Sequence, residues 1–193
     1  THWLEPACGT ARHLRVLARQ GHQVVGIDTS APMLNYGARL LPENALLACA
    51  DMTDFSLRHL RDHQRPAVRT PSAFDTAFCL ANSVRHLPTD ADLVSHLRAV
   101  GAVLAPPGVY ALGIGLTAYG FEQESEDIWR GSRGRLSVTQ MVQYFPADRR
   151  KRSERVVSQL AVVTPTRETF VDHAYPLRAY NAEQFAAALD AAA

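Results

Sequence analysis

Over its first 115 residues the sequence alternates short apolar runs with stretches of helical period, and that alternation leaves few folds open. Residues 3–5 read as a strand. Residues 11–20 place Leu14, Leu17 and Ala18 on one helix face, and Gly21 stops the helix. Gln23–Asp28 is rich in β-branched residues and forms a second strand. Ser30 stands where a helix cap is wanted, with Pro32 tolerated in the first turn. Ala45–Cys49 is a third strand, residues 56–62 are one or two helical turns, and residues 63–72, polar with two prolines, are a loop. Residues 74–80 form a fourth strand. Thr89 caps a helix that carries Leu93, Val94, Leu97, Val100 and Leu104 on one stripe; Pro106-Pro107-Gly108 breaks it, and residues 109–116 are a fifth strand.

Strands joined by helical returns lie parallel, because the crossovers are too long for hairpins. After residue 116 the pattern changes. Residues 135–144, 152–163 and 166–175 alternate imperfectly with period two, separated by Pro146-Ala147-Asp148 and Thr164-Pro165-Thr166, as in an antiparallel meander. Arg149, Arg150, Lys151 and Arg152 in the first connection read as a solvated hairpin tip. The expected fold is α/β: a doubly wound, mostly parallel Rossmann-like sheet with an added antiparallel β-meander. It divides into a ligand-binding core (1–116), a meander covering or flanking the substrate site (117–180) and the start of a return helix (181–193). The chain opens on a strand and closes in a helix, so a fragment is expected, lacking an N-terminal lid and the last strands of the sheet.

At 193 residues and 47% hydrophobic, the chain is large enough for one such domain with its own core. Twenty basic and 19 acidic residues give a net charge of +1, which asks for neither nucleic acid nor an anionic membrane. No apolar run approaches the roughly 18 residues of a membrane span, and no basic-then-apolar leader opens the chain. Cys8, Cys49 and Cys79 are far apart and lack metal-ligand spacing, so no metal is expected. Their odd number fits a reducing compartment, and a cytoplasmic location is expected.

In doubly wound sheets the ligand sits beyond the carboxyl ends of the strands, and three strand ends here offer complementary chemistry. The first ends in Glu5-Pro6-Ala7-Cys8-Gly9-Thr10, a small-residue turn that lets a ligand approach the backbone. The second ends in Asp28, 19 residues after Gly9, where an acid can accept both hydroxyls of a ribose. The third is followed by Asp51 and Met52, an acceptor for the adenine amine and an apolar side chain for the ring face. Together they describe an adenosine ligand. A nicotinamide dinucleotide would need Gly-x-Gly-x-x-Gly to hold its pyrophosphate, and Gly9 is the lone glycine in this turn.

These residues resemble the class I S-adenosylmethionine-dependent methyltransferases. Residues 5–10 look like that family's first motif, an acid, one residue, then Gly-x-Gly-x-Gly. Val24-Val25-Gly26-Ile27-Asp28-Thr29-Ser30, followed by Pro32-Met33-Leu34, resembles the second, and Ala50-Asp51-Met52 the third. Residues 74–83 resemble the fourth, and Leu104-Ala105-Pro106-Pro107-Gly108 the Leu-x-Pro-Gly-Gly start of strand five. The likeness covers roughly residues 3 to 115. Ala7 and Ala11 replace glycines of the pattern, Ala11 tightening the loop, and Pro107 replaces the first glycine of the last motif.

The resemblance implies S-adenosyl-L-methionine as cofactor and S-adenosyl-L-homocysteine as product. Glu5 would anchor the methionine amino group, and the backbone at Ala7, Cys8 and Gly9 would pass over the cofactor. Asp28, with Thr29 and Met33 nearby, would hold the ribose, Asp51 and Met52 the adenine, and the Leu80 carbonyl the methionine ammonium. Asn82-Ser83-Val84-Arg85-His86-Leu87 resembles the Ser-Ser-x-x-His-Leu segment of methyltransferases that dimethylate amino sugars, and the meander resembles theirs and that of glycine and sarcosine methyltransferases. His86 is then the candidate base or substrate-orienting group, and Asn82, Ser83, Tyr119, Trp129 and Arg130 are candidates for a substrate pocket. The expected activity is methyl transfer to a nitrogen or oxygen of a small molecule. A non-catalytic cofactor-binding module and a protein methyltransferase are the alternatives. A nucleic-acid methyltransferase would want Asn/Asp-Pro-Pro-Tyr/Phe after strand four, where this chain has Leu80-Ala81-Asn82-Ser83. Open meander edges allow a homodimer.

Overall fold

The computed structural model describes residues 1–62 and 70–193, so most of the expected 63–72 loop lies outside the described residues. The order is β1 (His2–Pro6), α1 (Arg12–Arg19), β2 (Gln23–Asp28), α2 (Ala31–Ala38), β3 (Ala45–Cys49), α3 (Leu57–Asp62), β4 (Phe74–Cys79), a 3₁₀ turn (Ser83–His86), α4 (Asp90–Val103) and β5 (Leu104–Leu112). Then follow β6 (Ser125–Arg133), β7 (Leu136–Tyr144), β8 (Ser153–Val163), β9 (Glu168–Arg178) and α5 (Ala182–Ala192). The chain forms two compact units, one of residues 1–84, 89–115 and 187–193, the other of residues 85–88 and 116–186.

The first unit is built on a parallel sheet of order β3-β2-β1-β4-β5. Alternation along the strands gives it two apolar faces. Leu4, Val25, Ile27, Leu46, Ala48 and Ala77 point one way, to Leu60 of α3 and Val100 and Val103 of α4. Val24, Ala45 and Phe78 point the other way, to Leu14 and Ala18 of α1 and Leu34 of α2. Each fully buried Leu, Val or Ile contributes about 1.5–3 kcal/mol, so the two layers together fix the sheet. Two glycines allow its close packing. A Cβ on Gly26 would lie 2.7 Å from both the Cys8 Sγ and a Leu14 methyl, and one on Gly37 would lie 2.7 Å from the Thr10 carbonyl oxygen.

Two local expectations need correction. Helix α4 ends at Val103, and its buried face is Leu93, His96, Val100 and Val103. Pro106-Pro107-Gly108 therefore does not end the helix. It lies inside β5, with a cis Pro106–Pro107 bond and a register shift against β4 between Phe74 and Thr76. Thr89 caps α4 through a reciprocal pair with Asp92. Ser30 does occupy the N-cap of α2, but its side chain makes no cap hydrogen bond.

The second unit is an antiparallel sheet of order β6-β7-β8-β9. It has one strand more than the sequence predicts. β6 pairs with β7 over all nine of its residues, yet all nine are exposed. The tight turn between them uses Gly134, with φ 61°. The unit's buried cluster is Val142, Val156 and Leu177, with Tyr144 and Tyr175 packed on it.

Gly37→Ala should force apart α2 and the loop after β1, lowering stability by about 1–3 kcal/mol, as overpacking does. Urea denaturation of the two proteins measures the difference.

Candidate functional site

The loop after β1 alternates its backbone hand. Ala7, Gly9 and Ala11 have φ of 53°, 55° and 57°. For a non-glycine residue the left-handed conformation costs roughly 1–2 kcal/mol, and two alanines hold it here. Their cost is offset by hydrogen bonds that fasten the loop. Cys8 N–H donates to the Ile27 carbonyl at 3.0 Å, and Ala11 N–H to the Cys8 carbonyl at 2.8 Å. Gly9 N–H donates to Asp28 Oδ2 at 2.8 Å, and Ser30 N–H to Asp28 Oδ1 at 2.8 Å. A carboxylate has about four acceptor positions, so these two bonds leave acceptor capacity at the end of β2. Thr29 is exposed, and Met33 brings its Cε to 3.0 Å from where a Cβ on Gly9 would stand.

Glu5 closes β1 at 4% exposure. Its Oε1 pairs with His13 Nδ1 at 2.8 Å, while Oε2 is buried with no hydrogen-bond partner. Burial raises the pKa of Glu5, and the His13 hydrogen bond is the main force pulling it back. A buried carboxylate oxygen without a donor is costly, and a cationic group placed against it would relieve that cost. His13 carries no motif signal in the sequence; the first turn of α1 brings it to Glu5.

After β3, Asp51 is exposed and its Oδ1 accepts from both the backbone N–H and the hydroxyl of Thr53, each at 2.7 Å. Those bonds, the backbone one first, lower its pKa. The neighbouring Met52 carbonyl meets His96 Nδ1 at 2.9 Å, and His96 Nε2 meets the Tyr110 hydroxyl at 2.6 Å. A carbonyl only accepts, so Nδ1 carries the proton and Nε2 accepts from Tyr110. Burial depresses the pKa of His96, which is fully enclosed and neutral. His96, without an assigned role in the sequence, thus joins α4 and β5 to the Asp51–Met52 turn. Its place in the buried stripe of α4 is the one sequence signal for it.

After β4 the chain turns through Ala81 and Asn82, with φ of 56° and 65°. The Leu80 carbonyl accepts from Ser83 N–H at 3.3 Å and from Ser83 Oγ at 3.0 Å. Asn82 N–H donates to the Gly113 carbonyl at 3.1 Å, and Asn82 Oδ1 accepts from Gly115 N–H. Of the two side chains expected to meet substrate, Asn82 therefore ties the turn after β4 to the segment after β5, and Ser83 closes the turn itself.

The remaining candidates belong to the second unit. His86 stacks on Tyr175 with ring centroids 5.4 Å apart, and burial, then the Arg85 charge, holds its pKa below the ordinary value. The Tyr119 hydroxyl is engaged by the Ala179 carbonyl at 3.1 Å and Gln184 Oε1 at 3.2 Å. Trp129 and Arg130 are consecutive on β6 and project from opposite faces. They cannot line one pocket together. Arg130 shares a groove with Ile128, Met141 and Phe170, and Trp129 is on the other face. Arg152 corrects the expected solvated tip: Arg149, Arg150 and Lys151 are exposed, but Arg152 turns inward over the Tyr180 ring. Among the described residues no three His, Cys, Asp or Glu side chains are grouped to hold a metal ion, and no helix is long and apolar enough to cross a membrane.

The first unit thus gathers Glu5, the left-handed turn, Asp28, Asp51 and Met52 at the carboxyl ends of adjacent strands. Structural relatives share the fold. The chain superimposes on Streptomyces venezuelae DesVI with a TM-score of 0.80 at 21% identity, covering 100% of this chain and 75% of that one. It matches CalS10, an amino pentose methyltransferase from Micromonospora echinaspora solved with S-adenosylmethionine bound, with a TM-score of 0.76 at 24% identity, covering 100% and 74%. In sequence it is 36% identical over 106 residues to a dTDP-3-amino-3,6-dideoxy-alpha-D-glucopyranose N,N-dimethyltransferase of Streptomyces fradiae, 55% of this chain and 36% of that protein. A putative methyltransferase of Bacillus subtilis is 26% identical over 106 residues, 55% of this chain and 39% of that protein. The match spans under two-fifths of the length of these curated relatives. A family described as a methyltransferase domain matches residues 4–108, just over half of the chain, and the chain belongs to that family.

Proposed function

We propose that this chain binds S-adenosylmethionine in its first unit and transfers the methyl group to a nitrogen of a small molecule, with an amino sugar as the acceptor class. The observation that carries the cofactor half is the buried Glu5 carboxylate with one unpartnered oxygen, beside a turn whose left-handed residues keep side chains off the ligand. When bound, the cofactor supplies an electrophilic methyl group on a sulfonium. Glu5 Oε2 accepts from the methionine ammonium, and the Leu80 carbonyl takes part once the Ser83 hydroxyl turns away from it. Asp28 accepts from the ribose hydroxyls with the capacity left by Gly9 and Ser30. Asp51 Oδ2 accepts from the adenine amine, Oδ1 being engaged by Thr53, and Met52 packs on the ring.

The amino-sugar reading is supported by the printed activity of the 36%-identical Streptomyces fradiae protein. His86 is proposed as the base or orienting group. A neutral amine needs its lone pair aimed at the methyl, and a protonated one must first lose a proton. An imidazole held below its ordinary pKa is neutral at pH 7 and able to take it. The free thiols Cys8, Cys49 and Cys79 suit a cytoplasmic setting, and the open edges of β6 and β9 suit pairing with a second copy.

Calorimetry with S-adenosylmethionine should give saturable binding, and Asp28→Ala should weaken it about 10–100-fold, the loss of hydrogen bonds to a charged group. Unchanged affinity in that variant would sink the ribose assignment.

The Glu5 carboxyl gives a pH dependence with a definite sign. Its pKa in the free protein is raised above 4.5, whereas an ammonium partner favours the ionised form. As pH falls through the raised value, binding must expel a proton, so affinity declines, beginning above the range of an ordinary carboxylate. Glu5→Gln should flatten that decline and weaken binding at pH 7. It should not lower folding stability, since a group with a raised folded pKa loses stability as pH rises through that value.

In a methyl-release assay across amino sugars, simple amines and phenols, turnover should be confined to amines, and His86→Ala should reduce kcat by about 10²-fold or more. Full activity in that variant would remove His86 from the chemistry.

A further inference from the structure

The Glu5 carboxylate at the end of β1 is gripped from the neighbouring helix. Its Oε1 meets Nδ1 of His13, the second residue of α1, at 2.8 Å. An ionised carboxylate only accepts, so Nδ1 carries the proton and donates it. The imidazole is fixed in turn. Its ring centroid stands 6.2 Å from that of Phe78 on β4, edge-on at 76°, within the span of favourable aromatic pairs. The Glu5 side chain is 5% exposed and that of His13 41%. A buried acid is thus joined to a ring that reaches water, and both belong to the first unit.

This pair does more than tie a helix to a strand, because of what it leaves open. With Oε1 held, the carboxylate plane is set, and Oε2 stays buried without a partner. Burial favours the neutral acid. His13 opposes it most strongly, first through the hydrogen bond and then through its charge; the Leu14 backbone N–H and the Arg12 charge add less. The other titratable neighbours are the thiols of Cys8 in the loop after β1 and Cys79 on β4. Burial, then the Glu5 charge, pushes Cys8 up, with Asp28 at the end of β2 adding to it. Burial first, with the Glu5 charge a smaller cause, pushes Cys79 up to about 11. Both thiols are therefore neutral at pH 7. His13 is the main group that keeps Glu5 ionised before a ligand arrives.

We propose that His13 is a positioning residue for the methionine end of the cofactor: by holding Glu5 Oε1 it fixes the carboxylate and leaves Oε2 for the ammonium. This role rests on the proposed binding of S-adenosylmethionine at Glu5, and His13 acts through Glu5 without touching the ligand. Three consequences separate it from a purely structural tie. Loss of His13 weakens only ligands that carry the ammonium. It moves the pH at which affinity declines, because that pH follows the ionisation of Glu5. Another N–H donor in the same place restores both, and asparagine supplies one, its amide nitrogen lying about where Nδ1 lies in histidine.

The test is calorimetry on the whole chain and its His13→Leu and His13→Asn variants over a series of pH values. The ligands are S-adenosyl-L-homocysteine and methylthioadenosine, which lacks the amino-acid group. Leucine keeps apolar bulk against Phe78 and donates nothing. His13→Leu should weaken S-adenosyl-L-homocysteine about tenfold at pH 7, the loss of one charge-assisted hydrogen bond at Glu5. It should leave methylthioadenosine within about twofold, and raise the pH of the acid-side decline by about one unit, the same tenfold expressed as ionisation. His13→Asn should recover most of both effects. Far-ultraviolet circular dichroism verifies the fold, and His13→Ala, which also removes the donor, replaces a leucine variant that does not fold. Equal weakening of both ligands, or an unchanged affinity and pH profile in the folded variant without a donor, would overturn the role of His13 alone. A wild-type chain that binds neither ligand, or binds both equally, instead overturns the cofactor reading or its Glu5 contact, and this role with it.

Discussion

The carboxylate of Asp28 accepts from the backbone of both loops that border it, Gly9 N–H on one side and Ser30 N–H on the other. Much of the first unit depends on that arrangement. The loop after β1 holds two alanines in a conformation that disfavours them, and without an acceptor fixed at the end of β2 the loop would relax. Gly26 lets the Cys8 thiol sit against β2, and Gly37 lets α2 approach the Thr10 carbonyl. Sheet register, loop shape and helix packing are therefore one constraint. The side chain proposed to meet the ribose is also the one that shapes the loop proposed to pass over the cofactor.

The same economy runs through the neighbouring strand ends, and it separates groups that shape the site from groups left open. Thr53 holds one oxygen of Asp51, and His13 holds one oxygen of Glu5. Each acid has one oxygen engaged by the protein, which orients the other. Glu5 is the extreme case, because its second oxygen is buried as well as unpartnered. A protein selected for stability alone would not bury that atom. That cost fits the contact proposed for it with a cationic ligand group.

The parallel half was legible in the sequence because its signals are local. Gln23–Asp28 and Ala45–Cys49 declare themselves by β-branched or apolar runs, and the acids fall at their ends by chain order alone. Contacts that depend on distant pairing were not legible. His96 reaches Met52 across 44 positions, and although its place in the α4 stripe signals burial, no pattern in either segment announces that partner. β6 lacked a signal for another reason. Ser-Glu-Asp-Ile-Trp-Arg-Gly-Ser-Arg carries no apolar alternation, since all nine residues are exposed, and its strand state comes from pairing with β7. The Pro106–Pro107 pair misled because proline is a strong local stop signal, whereas here it sits at an irregularity where β5 shifts register against β4.

The second unit has a small buried cluster, Val142, Val156 and Leu177, and two strands of eleven residues. Its strand ends are held largely by polar contacts. Arg85 grips the Arg178 carbonyl and Glu154, Asp148 organises the tip, and Tyr180 carries two guanidinium groups on its ring. Polar fastening of this kind is directional, so it fixes where charges stand more tightly than apolar packing would. The basic tip that looks like a solvated charge run in the sequence is therefore two things in the structure. Arg149 and Arg150 remain in water, whereas Arg152 is turned inward by a left-handed backbone that Ala179 locks. Charge composition alone cannot separate those two fates; the hand of one residue's backbone does.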